Sequence, residues 1–367
     1  SGSDISASGR PADPKFVEIF RSHAFYAGMS ATPQELIFSV PFDEDDFTGG
    51  SGAGSIKVDG VIVGIKVFRE NLFVFCEDSI FKITGSSLSD FAVVPVTRKI
   101  GCVDGFSIQE ISGDIVYLAP DGLRTIAGTE RIGDVELGTI SKQIQPRLDN
   151  VTTDRISSLV IRSKSQYRLF FPGDSQTESK CAGIIGVIKS GVEGGVGWEY
   201  ADIIGMKPAC CASGFINGTE TIIHGGYDGF VFKQEDTSKF DGTNISALYE
   251  SPAYTMGDVG LRKMMQRIIW NYENEGPVDS DFRIRYDFGS SSIPQPNPYP
   301  LNIGGSSAIY GSSLYGTAVY GSSGEPIVRQ SIEGSGFTVS VRLDDADGAD
   351  PISIKGYQLE FTPGGRR

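Results

Sequence analysis

Apolar positions along this chain come in short alternating runs, broken every few residues by Gly, Asp, Asn or Ser. Such runs predict strands and turns rather than long helices. The clearest case is a unit that occurs twice. "IKVFRENLFVFCEDSIFKITG" (65–85) lies over "IQEISGDIVYLAPDGLRTIAG" (108–128) at a constant offset of 43, without a gap. Ile65 falls on Ile108, Leu72 on Ile115, Phe75 on Leu118, Ile80 on Leu123 and Ile83 on Ile126, while Asp78 falls on Asp121 and Gly85 on Gly128. Each unit reads as a strand, a polar turn, an apolar strand, an Asp-Ser or Asp-Gly turn, and a short last strand. An up-and-down meander that recurs every roughly 40–50 residues is the pattern of a β-propeller blade.

Taken in order, residues 1–15 are small and polar and read as an arm. Strand-like "HAFYAG" (23–28) and "ELIFSV" (35–40) lead to the acidic "FDEDDF" (42–47) and the Gly/Ser run 48–55, which together predict a flexible loop. After the matched units, Ile140, Ile144 and Leu148 stand four apart and predict one brief helix near 139–149. Thr139 or Ser141 is placed to cap it, and Pro146 keeps it short. Apolar strands near Leu36, Phe73, Val116, Leu169 and Ile222 mark five blade-like modules before residue 240.

The texture changes at 244. Leu261–Tyr272 fits a helix stripe, but Met264, Ile268, Trp270 and Tyr272 also share one face of a strand. The Glu275-Gly276-Pro277 turn and the alternating "FRIRYDF" after it favour a β-hairpin. Tyr-Gly recurs at 310, 315 and 320, a period of five that suits a series of tight turns over 309–323. Three strands close the chain. The expected fold is mainly β. An arm (1–15) precedes a β-propeller-like domain (16–243) of about five to six blades, closed on itself or completed by a segment N-terminal to this sequence, and a β-sandwich domain (244–367) follows.

Composition narrows the functions. A net charge of −14 and only scattered basic pairs argue against a duplex-binding face. Five cysteines without C-x-x-C spacing, each in or beside an apolar strand, predict buried free thiols rather than disulfides or zinc. No apolar run approaches 18 residues, so no membrane span is expected.

Chemistry-bearing motifs are scarce. The two histidines, His23 and His224, sit in strand–turn contexts, and no G-x-S-x-G elbow, P-loop, GxGxxG or HExxH accompanies them. In "LDDADGAD" (343–350), Asp345, Asp347 and Gly348 match a calcium loop, but Leu343 and Ile354 occupy its first and last ligand positions. An acidic hairpin turn is the better reading. No catalytic, cofactor or metal residues are assigned, and the expectation is not an enzyme. A carbohydrate-binding or glycan-cleaving propeller is the alternative, although the S-x-D-x-G-x-x-W box of sialidase blades is missing.

"NLFVFCEDSIFKITG" followed by "KIGCVDGFSIQEISGDIVYLAPDGLRTIAG" resembles the central region of the tail tube hub, or nozzle, proteins of short-tailed phages, the tail tubular protein B and tail stabilisation protein group. "ISKQIQPRLD", the Tyr-Gly pentads and the ending "GYQLEFTPGGRR" are also similar to that group. The resemblance implies a structural virion protein of a podovirus tail, assembled in the host cytoplasm. It implies a homo-oligomer, a hexameric ring below the portal and adaptor. The ring extends the DNA-ejection channel and docks tail fibres or tip proteins. Six copies carry about −84 (six times −14), a charge that lets DNA pass without specific binding. Asp43, Glu44, Asp45 and Asp46 are the candidates for the lumen. Tyr310, Tyr315 and Tyr320 are the candidates for contacts with neighbours or the host envelope.

Overall fold

The structure is a computed structural model that describes residues 10–126, 139–149, 156–171, 182–190, 196–206, 208–237, 239–274, 278–303, 327–345 and 352–366. The chain divides into two compact units, Ser1–Gln234 and Glu235–Arg367.

The first unit is a run of five antiparallel meanders. β1 (Phe16–Phe20), β2 (His23–Ala27), β3 (Glu35–Phe38) and β4 (Gly54–Lys57) form the first sheet in chain order. β5 (Ile62–Phe68), β6 (Asn71–Cys76), β7 (Ile80–Thr84) and β8 (Ala92–Thr97) form the second. β9 (Gln109–Ile111), β10 (Asp114–Ala119) and β11 (Gly122–Thr125) form the third, and β12 (Ser157–Ile161), β13 (Gln166–Phe171), β14 (Ala182–Ser190) and β15 (Val196–Ile204) the fourth. β16 (Pro208–Ile216), β17 (Thr219–Gly226) and β18 (Val231–Lys233) make the fifth. Leu36, Phe73, Val116, Leu169 and Ile222 each fall in a different sheet, so the five modules read from the sequence are five sheets.

The first two strands of four of these sheets turn through two residues of positive φ: Arg21-Ser22, Arg69-Glu70, Ser112-Gly113 and Asn217-Gly218. Two left-handed residues in succession give the type I′ turn, whose twist matches that of the strands it joins. First strands lie side by side from sheet to sheet, β1 along β5, β9 along β12, and β12 along β16. This is the propeller arrangement of inner strands.

Cores form between successive sheets. Phe20, Phe25, Leu36 and Phe38 pack on Leu72, Val74, Phe81 and Ile83. Phe73, Phe75 and Ile80 pack on Ile115, Tyr117 and Ile126. Val116, Leu118 and Leu123 pack on Tyr167, Leu169 and Phe171. Each fully buried side chain of this kind contributes about 1.5–3 kcal/mol. The seam between the fourth and fifth sheets is polar instead: Ser213 Oγ donates to the Val160 carbonyl at 2.6 Å, and the Cys211 N–H to Ser157 Oγ at 2.9 Å.

The outer faces of the end sheets are uncovered. Val17 and Ile19 on β1 are 58% and 74% exposed, and Val231 on β18 is 72% exposed. In a closed ring these faces would cover one another, so among the described residues the closed form of the expectation is not met. The predicted short helix is a 3₁₀ turn, Lys142–Ile144, running into α1 (Gln145–Leu148), and Ile140, Ile144 and Leu148 all pack on the core below. Ser141 does not cap it; its hydroxyl accepts the Leu123 N–H at 2.9 Å and ties the helix to β11.

The second unit is a sandwich preceded by a small ribbon, β19 (Lys239–Phe240) with β20 (Thr243–Asn244). β21 (Ala247–Glu250), β22 (Leu261–Asn274), β23 (Val278–Tyr286), β24 (Tyr299–Ile303), β25 (Ile327–Ser331), β26 (Ser335–Gly336), β27 (Val339–Asp345) and β28 (Ile352–Arg366) build it. One sheet runs β21-β27-β23-β24. In the other, β25 and β26 flank one edge of β22 and β28 flanks the other. Trp270 on β22 meets Phe282 on β23 edge-on at 5.5 Å, at the centre of the core between the sheets.

Two expectations change here. β22 and β23 are strands, but not a hairpin: each pairs within a different sheet, and the 275–277 turn lies outside the described residues. β27 and β28 likewise lie in different sheets, so they do not form the expected hairpin; 346–351 lie outside the described residues. Met264 is also not on the buried face with Ile268, Trp270 and Tyr272. A bulge between Met265 and Arg267 shifts the alternation, burying Met265 and leaving Met264 51% exposed.

Candidate functional site

The acidic segment Asp43–Asp46 forms an ordered turn rather than the expected flexible loop. Val40 bridges to Asp43, the Val40 N–H donates to the Asp46 carbonyl at 2.8 Å, and the Phe42 N–H donates to the Ser22 carbonyl at 2.8 Å. Carboxylates complete the turn. Asp43 Oδ1 accepts the Asp45 N–H at 3.2 Å, and Asp46 Oδ1 the Thr48 N–H at 2.8 Å. The Thr48 hydroxyl and amide hold the Asp46 carboxyl below its ordinary range. Asp43, Glu44 and Asp45 are exposed and Asp46 is half-buried. The Gly/Ser run that follows enters a 3₁₀ turn, Gly49–Ser51, and then β4.

The type I′ turns form a second constellation, which the sequence reading missed. Arg21 reaches Glu70 at 3.4 Å. Arg69 donates to the Gly113 carbonyl at 2.6 Å. The backbone N–H groups of Arg162 and Ser163 donate to the two oxygens of Glu220 at 2.6 and 3.0 Å. The first sheet is thus joined to the second, the second to the third and the fourth to the fifth at or beside their turns. The available signal was the recurrence of an Arg or Glu at or beside a two-residue turn, a pattern too common to single out unaided.

Both histidines are structural. His23, 2% exposed, places Nδ1 2.6 Å from the Ser39 carbonyl, among the rings of Phe25, Phe38 and Phe91. His224 stacks on Phe232, and its Nδ1 lies 3.2 Å from the Gln234 amide. Burial lowers its pKa. Gln234 in turn accepts from buried Arg168 at 2.8 Å. Cys76 and Cys102 are buried free thiols, both pushed up to about 12 by burial. Cys210 departs from expectation: it lies exposed on β16, and its neighbour Cys211 is half-buried. Cys181, Tyr310, Tyr315, Tyr320, Asp347 and Gly348 lie outside the described residues.

Among the described residues, no group of three or more His, Cys, Asp or Glu side chains stands close enough to hold a metal ion. The second unit contains a cleft of about 820 Å³ between β21 and β28, lined by Tyr249, Tyr254, Met256, Leu343, Tyr357 and Leu359 among others.

No family model matches the chain. No curated protein matches it either. Among solved structures, BBS1N in a complex with ARL6DN is 12% identical over 64% of this chain and 81% of that one, with a TM-score of 0.31. The N-terminal domain of Nup159 is 9% identical over 69% and 70%, at 0.30. An exo-β-1,3-galactanase from Phanerochaete chrysosporium is 7% identical over 96% and 99%, at 0.27. Scores this low leave the assignment of the fold to the chain's own sheets.

Proposed function

We propose that the chain is a non-enzymatic structural protein of a short-tailed phage virion, a subunit of the ring-shaped tail nozzle or hub. Six copies below the portal and adaptor would extend the DNA-ejection channel and dock the fibres. The observation that supports this best is the acidic turn. Three exposed carboxylates, Asp43, Glu44 and Asp45, sit on a backbone fixed by its own hydrogen bonds, in a chain of net charge −14. Such a surface repels phosphates and favours passage of DNA over binding. The five-sheet array adds a compact unit suited to a ring wall.

The test is absolute mass by light scattering on the purified chain, alone and with a candidate adaptor ring. A six-fold species, above all one formed only on the adaptor, supports the nozzle. A monomer indifferent to the adaptor overturns it, and binding or turnover of a glycan by that monomer would favour the saccharide-directed propeller instead.

A further inference from the structure

Among the described residues, one sheet of the second unit has fewer strands side by side than the other. In the ladder between β21 and β27, Tyr249 stands opposite Leu343. Directly opposite residues share a face of a sheet, and Leu343 is a core residue only 3% exposed. Tyr249 therefore faces inward, toward the other sheet, yet it is 43% exposed. Tyr254, on the continuation of the same edge along β27, is 42% exposed. From the other sheet Tyr357 reaches Tyr254, and both tyrosines keep a side open to the cleft.

That other sheet ends at β28. Among the described residues β28 pairs only with β22, along one of its two edges. Its core-facing Ile354, Tyr357 and Leu359 pack on the core and also line the cleft. The free edge is regular over Gly356–Glu360, between the bulge that sets aside Lys355 and the one that sets aside Gln266 on β22. An edge without a strand partner among the described residues, beside an apolar slot, is a template for one more strand.

We propose that this cleft binds an extended polypeptide segment as an added β-strand on Gly356–Glu360. Alternate side chains of the segment would enter the slot against Tyr249, Tyr254 and Leu359. The occupant is fixed by two features together. The ladder from β22 through β28 continues only with a peptide backbone, and the position left open lies opposite an inward-facing Tyr249. The segment's chemistry follows: five or so residues, apolar at every second position, with no proline facing β28. This site is independent of the tail reading.

The test uses the full chain and a random dodecapeptide display library. Enriched peptides are synthesised and titrated by fluorescence anisotropy, with amide exchange followed on β28. The expected peptides alternate in polarity and slow exchange over 356–360. They weaken about tenfold or more with Tyr249→Glu, whose exposed position allows the fold to persist. N-methylation of the peptide at positions facing β28 should abolish binding, whereas N-methylation at the intervening positions should not. Enriched peptides indifferent to Tyr249→Glu, or bound without protecting 356–360, would overturn the proposal. So would failure to enrich any peptide, including the case in which a glycan panel binds at these tyrosines instead.

Discussion

Arg69 donates to the Gly113 carbonyl at 2.6 Å, and these residues sit on the corresponding turns of the two matched units. The turn Arg69-Glu70 aligns with Ser112-Gly113 at the offset of 43, so one copy of the repeat holds the next by the same turn. Arg69 also lies over the ring of Phe68 at 4.9 Å, which fixes the guanidinium before it reaches across. A charged donor on a carbonyl is worth more than an exposed ion pair. Arg69→Ala should therefore cost about 1 kcal/mol and lower Tm by about 2–4 °C. Glu70→Ala, which removes only the 3.4 Å exposed pair with Arg21, should leave Tm within about 1 °C. Scanning calorimetry on the two variants decides it; equal effects would mean that the Arg69 contact adds nothing.

Gly122 starts β11 with φ at 121°, a conformation that suits glycine. A Cβ there would also run into Ser141 Oγ, which accepts the Leu123 N–H and anchors the short helix. The aligned position in the earlier unit holds Ser79, whose φ is not positive. Gly122→Ala should destabilise the first unit by about 2 kcal/mol or more, through strain and displacement of Ser141 together. Denaturant unfolding measures this; a cost below about 0.5 kcal/mol would show that the turn relaxes freely.

The blades were legible because the repeat is local. Leu72 and Ile115, Ile80 and Leu123, and Ile83 and Ile126 are aligned in sequence and buried alike. The sandwich was legible as strands but not as pairings. Glu275-Gly276-Pro277 has the composition of a hairpin turn, and only the ladder partners of β22 and β23 show that the two strands do not pair with each other. A single extra residue, Gln266, moved Met264 to the surface, and a period-two reading has no means of seeing a bulge. At the candidate site, sequence showed where the carboxylates were but not that Asp43 and Asp46 hold their own backbone.

Trp270 is fully buried, with Phe282 at 5.5 Å on one side and Tyr357 at 5.3 Å on the other. Its Nε1 finds no acceptor among the described residues. Trp270→Ala should cost about 3–5 kcal/mol. Trp270→Phe loses area but also removes a buried donor without a partner, so the two effects offset and the cost should stay under about 1.5 kcal/mol. A Trp270→Phe cost equal to that of Trp270→Ala would mean that the indole is hydrogen-bonded after all. Calorimetric unfolding of the full chain separates the cases.

The thiols give a pH prediction with a definite sign. Burial raises Cys76 and Cys102 to about 12 and Cys211 to about 11. A thiol in the unfolded chain ionises near about 8.5. Between those values the unfolded state has released protons that the folded state still holds, so stability falls as pH rises. The contribution is fully present below about pH 8.5 and is lost progressively toward pH 11–12. The urea midpoint should stay flat from pH 7 to about 8.5 and then drop, and Cys76→Ala with Cys102→Ala should reduce that drop. Exposed Cys210 should take a thiol reagent at pH 8 without unfolding, while Cys76 and Cys102 react only at the unfolding rate. A flat midpoint to pH 11, or prompt labelling of Cys102 in the folded chain, would show that these thiols are not sealed in the cores between the sheets.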